Sequence, residues 1–299
     1  MAGNGSYIYQ TDLASFERYF LGTINVFFSL CGILGNVLVV VVIARKRQLH
    51  TVSNTFITSL AAADLLVCVV SQLMYVVFLY GLPPNTVYGN TRKVFSFVSV
   101  LASISNLAAV TIDRYIAIVN PMQYQLRANF KRASLLLCAI WVVSLALGIP
   151  SGFVRSIQHI TVYYIIALLF VIAPIYVRIY SIARNQARVI TEQAKHIKKD
   201  SKNKPEKENI AAKTIGYVLA VFIICWFPLL ITPMIFRHSE NSRIVRKALK
   251  WAQTLALCSS ALNPVIYSLK TQIFRKEMRK VFKIAFKRHS WEDKQTTYV

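Results

Sequence analysis

Seven long apolar runs constrain this chain more than any other feature. They cover about residues 19–44, 52–80, 94–119, 133–150, 160–183, 214–236 and 248–269. A helix rises about 1.5 Å per residue and the hydrocarbon layer of a bilayer is about 30 Å thick, so roughly 20 apolar residues suffice to cross it. Only 16% of the 299 residues are charged and 55% are apolar, whereas a soluble domain carries about 25% charged residues. The predicted fold class is an all-α membrane protein: a seven-transmembrane helix bundle with a short amphipathic eighth helix. Residues 1–18 are polar and lack the basic start and short apolar core of a cleavable signal. The first run is therefore expected to stay in the chain as a span.

Seven spans place successive connections on alternate sides, and 26 of the 35 Lys and Arg then share one side. Basic residues are retained in the cytoplasm, so the N-terminus is expected outside. The resulting division is an external N-terminus over 1–18 and a seven-span domain over 19–270, with a cytoplasmic third loop at about 184–213. An amphipathic surface helix over 271–286 and a cytoplasmic tail over 287–299 complete the chain. The start of the third loop, Arg184 to Arg188, is expected to prolong span five as helix. Its polar middle, Lys198 to Glu208, is too poor in apolar residues to order itself. Asn4-Gly5-Ser6 forms a glycosylation sequon at Asn4 on the outer side.

The net charge of +23 lies beside spans. It suits anionic membrane lipids and an acidic cytosolic partner, and argues against nucleic acid. In 272–286 the apolar Ile273, Phe274, Met278, Val281, Phe282 and Ala285 alternate with Arg275, Lys276, Arg279 and Lys280 at helical spacing, the pattern of a helix lying on the inner membrane surface. The final Thr297-Tyr298-Val299 fits a PDZ-domain ligand, with Val299 and the carboxylate seated in the groove and Thr297 donating a hydrogen bond.

Polar side chains inside hydrocarbon are costly unless partnered, which makes them functional candidates. Asn36, Asp64, Ser103, Asn106, Ser259, Ser260 and Asn263 are of this kind. Counted from the span ends, Asp64, Ser103 and Asn263 meet near mid-bundle. The carboxylate needs a cation, a proton or several donors. Two readings stand side by side: a sodium ion held by carboxylate, hydroxyl and amide oxygens, or a protonated Asp64 bonded to Asn36 and Asn263 as structural glue. No enzymatic centre and no transition-metal cluster is evident. The five cysteines, Cys31, Cys68, Cys138, Cys225 and Cys258, all fall in spans, so no disulfide is expected. Asp113-Arg114-Tyr115 closes the third run, where two charges and a phenol reach the membrane boundary. Pro150, Pro174, Pro228 and Pro264 punctuate spans four to seven and permit kinks.

Taken in order, these motifs resemble the class A (rhodopsin-like) G protein-coupled receptors. Gly35-Asn36-Val37-Leu38-Val39 matches the family's first span and Leu60-Ala61-Ala62-Ala63-Asp64 its second. Asp113-Arg114-Tyr115 ends the third and Trp141 marks the fourth. Phe222 and Cys225-Trp226-Phe227-Pro228 mark the sixth, and Asn263-Pro264-Val265-Ile266-Tyr267 with Phe274-Arg275 the seventh. The resemblance covers about 19–286. The cysteine that usually starts span three is replaced by Gly89, and residues 151–159 hold no Cys. Leu168 stands where span five usually has a proline. These departures are similar to the melanocortin branch and its adenosine, cannabinoid and lysolipid relatives. Met74, Gly89 and Lys93 replace the acids that grip melanocortin peptides, Ser96 stands where amine receptors carry an aspartate, and Leu257 where opsins carry the retinal lysine.

The resemblance implies a plasma-membrane receptor that couples an extracellular ligand to heterotrimeric G proteins. Its expected switch residues are Asp113, Arg114, Tyr115, Tyr176, Phe222, Trp226, Pro228, Asn263, Pro264 and Tyr267. Arg114 is expected to pair with Asp113 at rest and to turn toward Tyr176 and Tyr267 when span six pivots at Pro228. Outside, Arg92, Lys93, Arg155, Arg237 and Lys250, with Ser96, leave two readings open: a rim at the cavity mouth that draws in an anionic small molecule, lipid or peptide, or a set of basic residues that are simply solvated. The alternatives are an ion-linked transporter or channel with Asp64 in its path, and a receptor-like modulator that does not couple.

Overall fold

The computed structural model describes residues 12–81, 86–127, 129–196, 224–229, 231, 232, 243–265, 276 and 280. Among the described residues every regular element is helical and no strand occurs. Seven helices are α1 (Ser15–Arg45), α2 (Val52–Leu79), α3 (Thr86–Val119), α4 (Pro121–Arg127), α5 (Phe130–Ser151), α6 (Arg155–His196) and α7 (Arg243–Cys258). The first five apolar runs appear as α1, α2, α3, α5 and α6, each long enough to span a membrane. Residues 224–229 of the sixth run are helical. The seventh appears as α7, a 3₁₀ turn at Ser259–Ala261 and helical residues 263–265.

Helix ends run past the apolar runs because polar caps and basic turns extend them into the headgroup layer. α1 starts at Ser15, four residues before the apolar run, where the Glu17 carboxylate accepts the Ala14 N–H at 2.9 Å and satisfies one unpaired first-turn donor. Thr51 caps α2 by accepting the Asn54 N–H at 3.3 Å, and Asn129 caps α5 by accepting that of Lys131 at 2.8 Å. Gly81, at φ 78°, ends α2 in the left-handed region that glycine enters without strain. α6 continues to His196, so the start of the third cytoplasmic loop does prolong span five.

α3 is the central helix and packs against α2, α5 and α6. The helices around it carry wide outward apolar stripes suited to lipid, with Phe27, Leu30 and Leu34 of α1, Leu135 and Val142 of α5 and Phe170 of α6 all exposed. Two glycines let backbones approach closely. A Cβ at Gly35 would lie 2.8 Å from the Pro264 ring, and one at Gly148 2.8 Å from the Val98 backbone. α2 carries a π-helical turn at Val67–Ser71, whose added residue rotates the outer turns of the helix relative to the inner ones. Ser71 thereby meets α3, with its Oγ 2.7 Å from Ser99 Oγ and donating to the Phe95 carbonyl at 3.0 Å.

Candidate functional site

At the cytoplasmic end of α3, Asp113 is buried and accepts hydrogen bonds from the Ser53 hydroxyl of α2 and, at 2.7 Å, from the Tyr124 hydroxyl of α4. The Ser53 and Tyr124 hydroxyls are themselves 3.0 Å apart. Burial pushes the Tyr124 phenol up from its ordinary pKa, so it stays protonated and donating. The expected ion pair between Asp113 and Arg114 is absent among the described residues. Ser53 and Tyr124 hold the carboxylate in its place, because successive residues of a helix point about 100° apart. Arg114 and Tyr115 are half-buried. Tyr176 on α6 packs against the main core, which also contains Cys225 and Trp226. Pro228 is half-buried and Pro264 buried against Gly35.

Mid-bundle, Asp64 is fully buried. Ser103 donates to one of its oxygens at 2.7 Å and Asn263 to the other at 2.6 Å, so the three residues expected to meet do meet. Two companions lie elsewhere. Asn36 donates to the carbonyls of Gly32 at 3.0 Å and Ser260 at 3.3 Å, tying α1 to the 3₁₀ turn rather than to Asp64. Ser259 donates to the Ala256 carbonyl of its own helix at 2.7 Å. α1 touches both the second span and the seventh, and the Asn36 amide meets the Ser260 carbonyl of the seventh. The amide oxygens of Asn36 and Asn106 are buried without a partner among the described residues.

A second polar line in the outer half was missed from the sequence. Asn25, Gln72 and Thr254 are buried. The Asn25 amide donates to Thr254 Oγ1 at 3.1 Å, and Gln72 donates to Asn25 Oδ1 at 3.3 Å. The Tyr75 hydroxyl and Thr254 Oγ1 both donate to the Lys250 carbonyl, at 2.7 and 3.1 Å. Lys250 Nζ then reaches Asp12 Oδ2 at 3.3 Å. The signal was available: each of these is a hydrogen-bonding side chain inside or at the edge of an apolar run.

The expected basic rim is divided by its partners. Asp12 takes Arg246 at 2.7 Å as well as Lys250, and Glu17 takes Lys247 at 2.6 Å. Arg155 is exposed, and Lys93 and Ser96 are half-buried. Arg92 lies over the Phe78 ring with its guanidinium carbon 4.3 Å from the centroid. Among the expected site residues, Asn4, Phe222, Arg237, Tyr267, Thr297 and Val299 lie outside the described residues, as do the middle of the third loop, the tail and nearly all of the surface helix. Cys68, Cys225 and Cys258 are buried, and Cys31 and Cys138 exposed.

A family model described as "7 transmembrane receptor (rhodopsin family)" matches residues 35–161 and 153–267, most of the chain and all the spans that carry the motifs. The chain belongs to the rhodopsin family of seven-transmembrane receptors. Among its relatives, the alpha-1A adrenergic receptor of Bos taurus is 28% identical over 89% of this chain and 68% of that receptor. The same receptor of Oryzias latipes is 28% identical over 91% and 68%, and the histamine H2 receptor of Rattus norvegicus 29% over 87% and 78%. These relatives do not confirm the narrower likeness to the melanocortin, adenosine and cannabinoid branch. The chain is accordingly a G protein-coupled receptor and not an enzyme, a multi-pass protein of the plasma membrane.

Proposed function

We propose that this receptor binds an extracellular ligand among spans three, five, six and seven and relays it through Asp113-Arg114-Tyr115 to a heterotrimeric G protein. The observation that carries the proposal is the seat of Asp113. Its carboxylate is occupied by Ser53 and Tyr124, and the guanidinium beside it makes no ion pair among the described residues. That fastening joins α2, α3 and α4 at the cytoplasmic face and holds the bundle in one packing. Loosening it favours a second packing, in which Trp226 repacks, span six pivots at Pro228, and Arg114 turns toward Tyr176 and Tyr267. The cleft so opened would admit an acidic C-terminal helix of a Gα subunit. A ligand acts only through its different affinity for the two packings.

Asp113→Asn is expected to raise ligand-independent nucleotide exchange and Arg114→Ala to abolish coupling. Full G protein activation by surface-expressed Arg114→Ala would overturn the switch. Ser96 in place of the amine receptors' aspartate speaks against an amine ligand, although the relatives found are an adrenergic and a histamine receptor.

The mid-bundle oxygens also fit a sodium ion. Asp64 is fully buried without a cation among the described residues, Ser103 supplies a hydroxyl beside it, and such hard oxygen donors suit a hard cation. Asp64, Ser103 and Asn263 would hold the ion, which when bound offsets the buried charge and favours the packing that keeps these residues together. The Asn4 sequon and the Thr297–Val299 tail are proposed as a glycosylation site and a PDZ-domain ligand.

A further inference from the structure

Arg92 is an outer cation seated on an aromatic ring. It sits in the second turn of α3, half-buried, with its guanidinium carbon over the ring of Phe78 of α2. Its Nε is buried and has no hydrogen-bond partner among the described residues. The two outer acids nearest in the chain cannot serve it, because Asp12 is taken by Arg246 and Lys250, and Glu17 by Lys247. An aromatic face offsets only part of the cost of drawing a cation out of water, and it leaves the buried Nε–H without an acceptor among the described residues.

The surroundings are built rather than open. Tyr88, one turn before Arg92, donates to the Met74 carbonyl at 2.6 Å, and Tyr75 donates to the Lys250 carbonyl at 2.7 Å. These two bonds fix the rings on either side of α2's last turns, and Tyr75 and Phe78 stack at 6.1 Å between centroids. Phe78 is thereby held where the guanidinium can lie on it. Arg92, Ser96, Ser99 and Ser103 then succeed one another along a single face of α3, so the cation stands at the outer end of the polar column that reaches Asp64.

We infer that Arg92, held by Phe78 between α2 and α3, is a binding site for an oxyanion, a carboxylate or a phosphate, carried by the extracellular ligand. This rests on the receptor reading above and names the ligand's chemistry. The planar guanidinium presents parallel N–H donors that match two oxygens of such a group. Of the cations of α7, Arg246 and Lys250 share Asp12 and Lys247 pairs with Glu17, so those three are already engaged by carboxylates.

The test uses the full-length receptor in nanodiscs of zwitterionic lipid, without G protein, and reads the thermal unfolding midpoint across a titration of simple probes. Octyl phosphate and octanoate are expected to raise the midpoint saturably, while octanol and octyltrimethylammonium are not. Arg92→Gln is expected to weaken the response by about tenfold or more, and Arg92→Lys by less, since it keeps the charge and loses the fork. Inorganic phosphate separates the two sources of the anion: an equal response to it assigns the site to a free anion, and a response to octyl phosphate alone assigns it to a lipid headgroup. Equal responses to octanol and octanoate, or an undiminished response in Arg92→Gln, would overturn the inference. The headgroup comparison needs no variant and so decides the matter even if Arg92→Gln does not fold. Failure here leaves the exchange assays on Asp113 and Arg114 untouched, so the two readings fail separately.

Discussion

Replacing Tyr124 by Phe removes one hydroxyl and keeps the ring, which makes it the cleanest probe of how Asp113 is held. The Tyr124 hydroxyl donates to Asp113 at 2.7 Å and lies 3.0 Å from Ser53 Oγ. A hydrogen bond to a charged group contributes about 1.5–3 kcal/mol. Tyr124 is half-buried, so a figure of about 2 kcal/mol is reasonable for this bond. If the bond exists only in the resting packing, its loss shifts the equilibrium toward the active packing about 30-fold, since about 1.4 kcal/mol is tenfold. A receptor resting with about 1% of molecules active would rise to roughly a quarter active. The assay is ligand-free nucleotide exchange on purified heterotrimeric G protein by equal amounts of wild-type and Tyr124→Phe receptor in nanodiscs. Ser53→Ala is expected to act in the same direction. The double variant should fall short of the sum, because both hydroxyls serve one carboxylate. An exchange rate within about twofold of wild type, with the thermal midpoint retained, would refute the idea that this fastening sets the resting state.

Three further outcomes come from particular contacts. The Arg246 guanidinium, with Lys250, holds the Asp12 carboxyl well below the usual carboxylate range; a lowered folded pKa gives stability above the unfolded value near 4 that is lost as pH falls below it. Wild-type receptor should thus lose more thermal stability than Asp12→Asn between about pH 5 and 3, and equal losses would remove Asp12 from the account. Sodium chloride should raise the wild-type midpoint above that in choline chloride and leave Asp64→Asn unmoved, so a sodium effect surviving in that variant would refute the ion site. Gly148→Ala should destabilise by about 1–3 kcal/mol, because its Cβ meets the Val98 backbone at 2.8 Å, whereas Gly89→Ala, which meets nothing within 4 Å, should stay within about 0.5 kcal/mol. Matched thermal midpoints for the two alanine variants would show that α5 simply moves away.

The features legible in the sequence are those written in local order. Hydropathy gave the spans because a bilayer imposes its thickness on every helix that crosses it. The charge asymmetry gives the expected orientation, and the motif residues fall within the stretches matched to the receptor family. Helix ends were misjudged by several residues, as with α1 and α7, because a capping carboxylate or a basic outer turn extends a helix beyond the apolar run. Ser53 and Tyr124 escaped notice for another reason. Each is an ordinary residue in its own stretch and gains meaning only from a neighbour 60 or 11 positions away.

The seven-span receptor architecture and the meeting of Asp64, Ser103 and Asn263 were thus readable from the order of residues alone. Only the tertiary structure decided who holds whom. Asp113 is fastened by Ser53 and Tyr124 instead of Arg114, Asn36 serves the Ser260 carbonyl instead of Asp64, and Lys250 pairs with Asp12 while the Arg92 Nε has no partner among the described residues. The physical reason is that composition and periodicity fix where a helix lies in the bilayer. Its rotation and crossing against its neighbours, which set the partner of each polar group, come from packing between residues far apart in the chain.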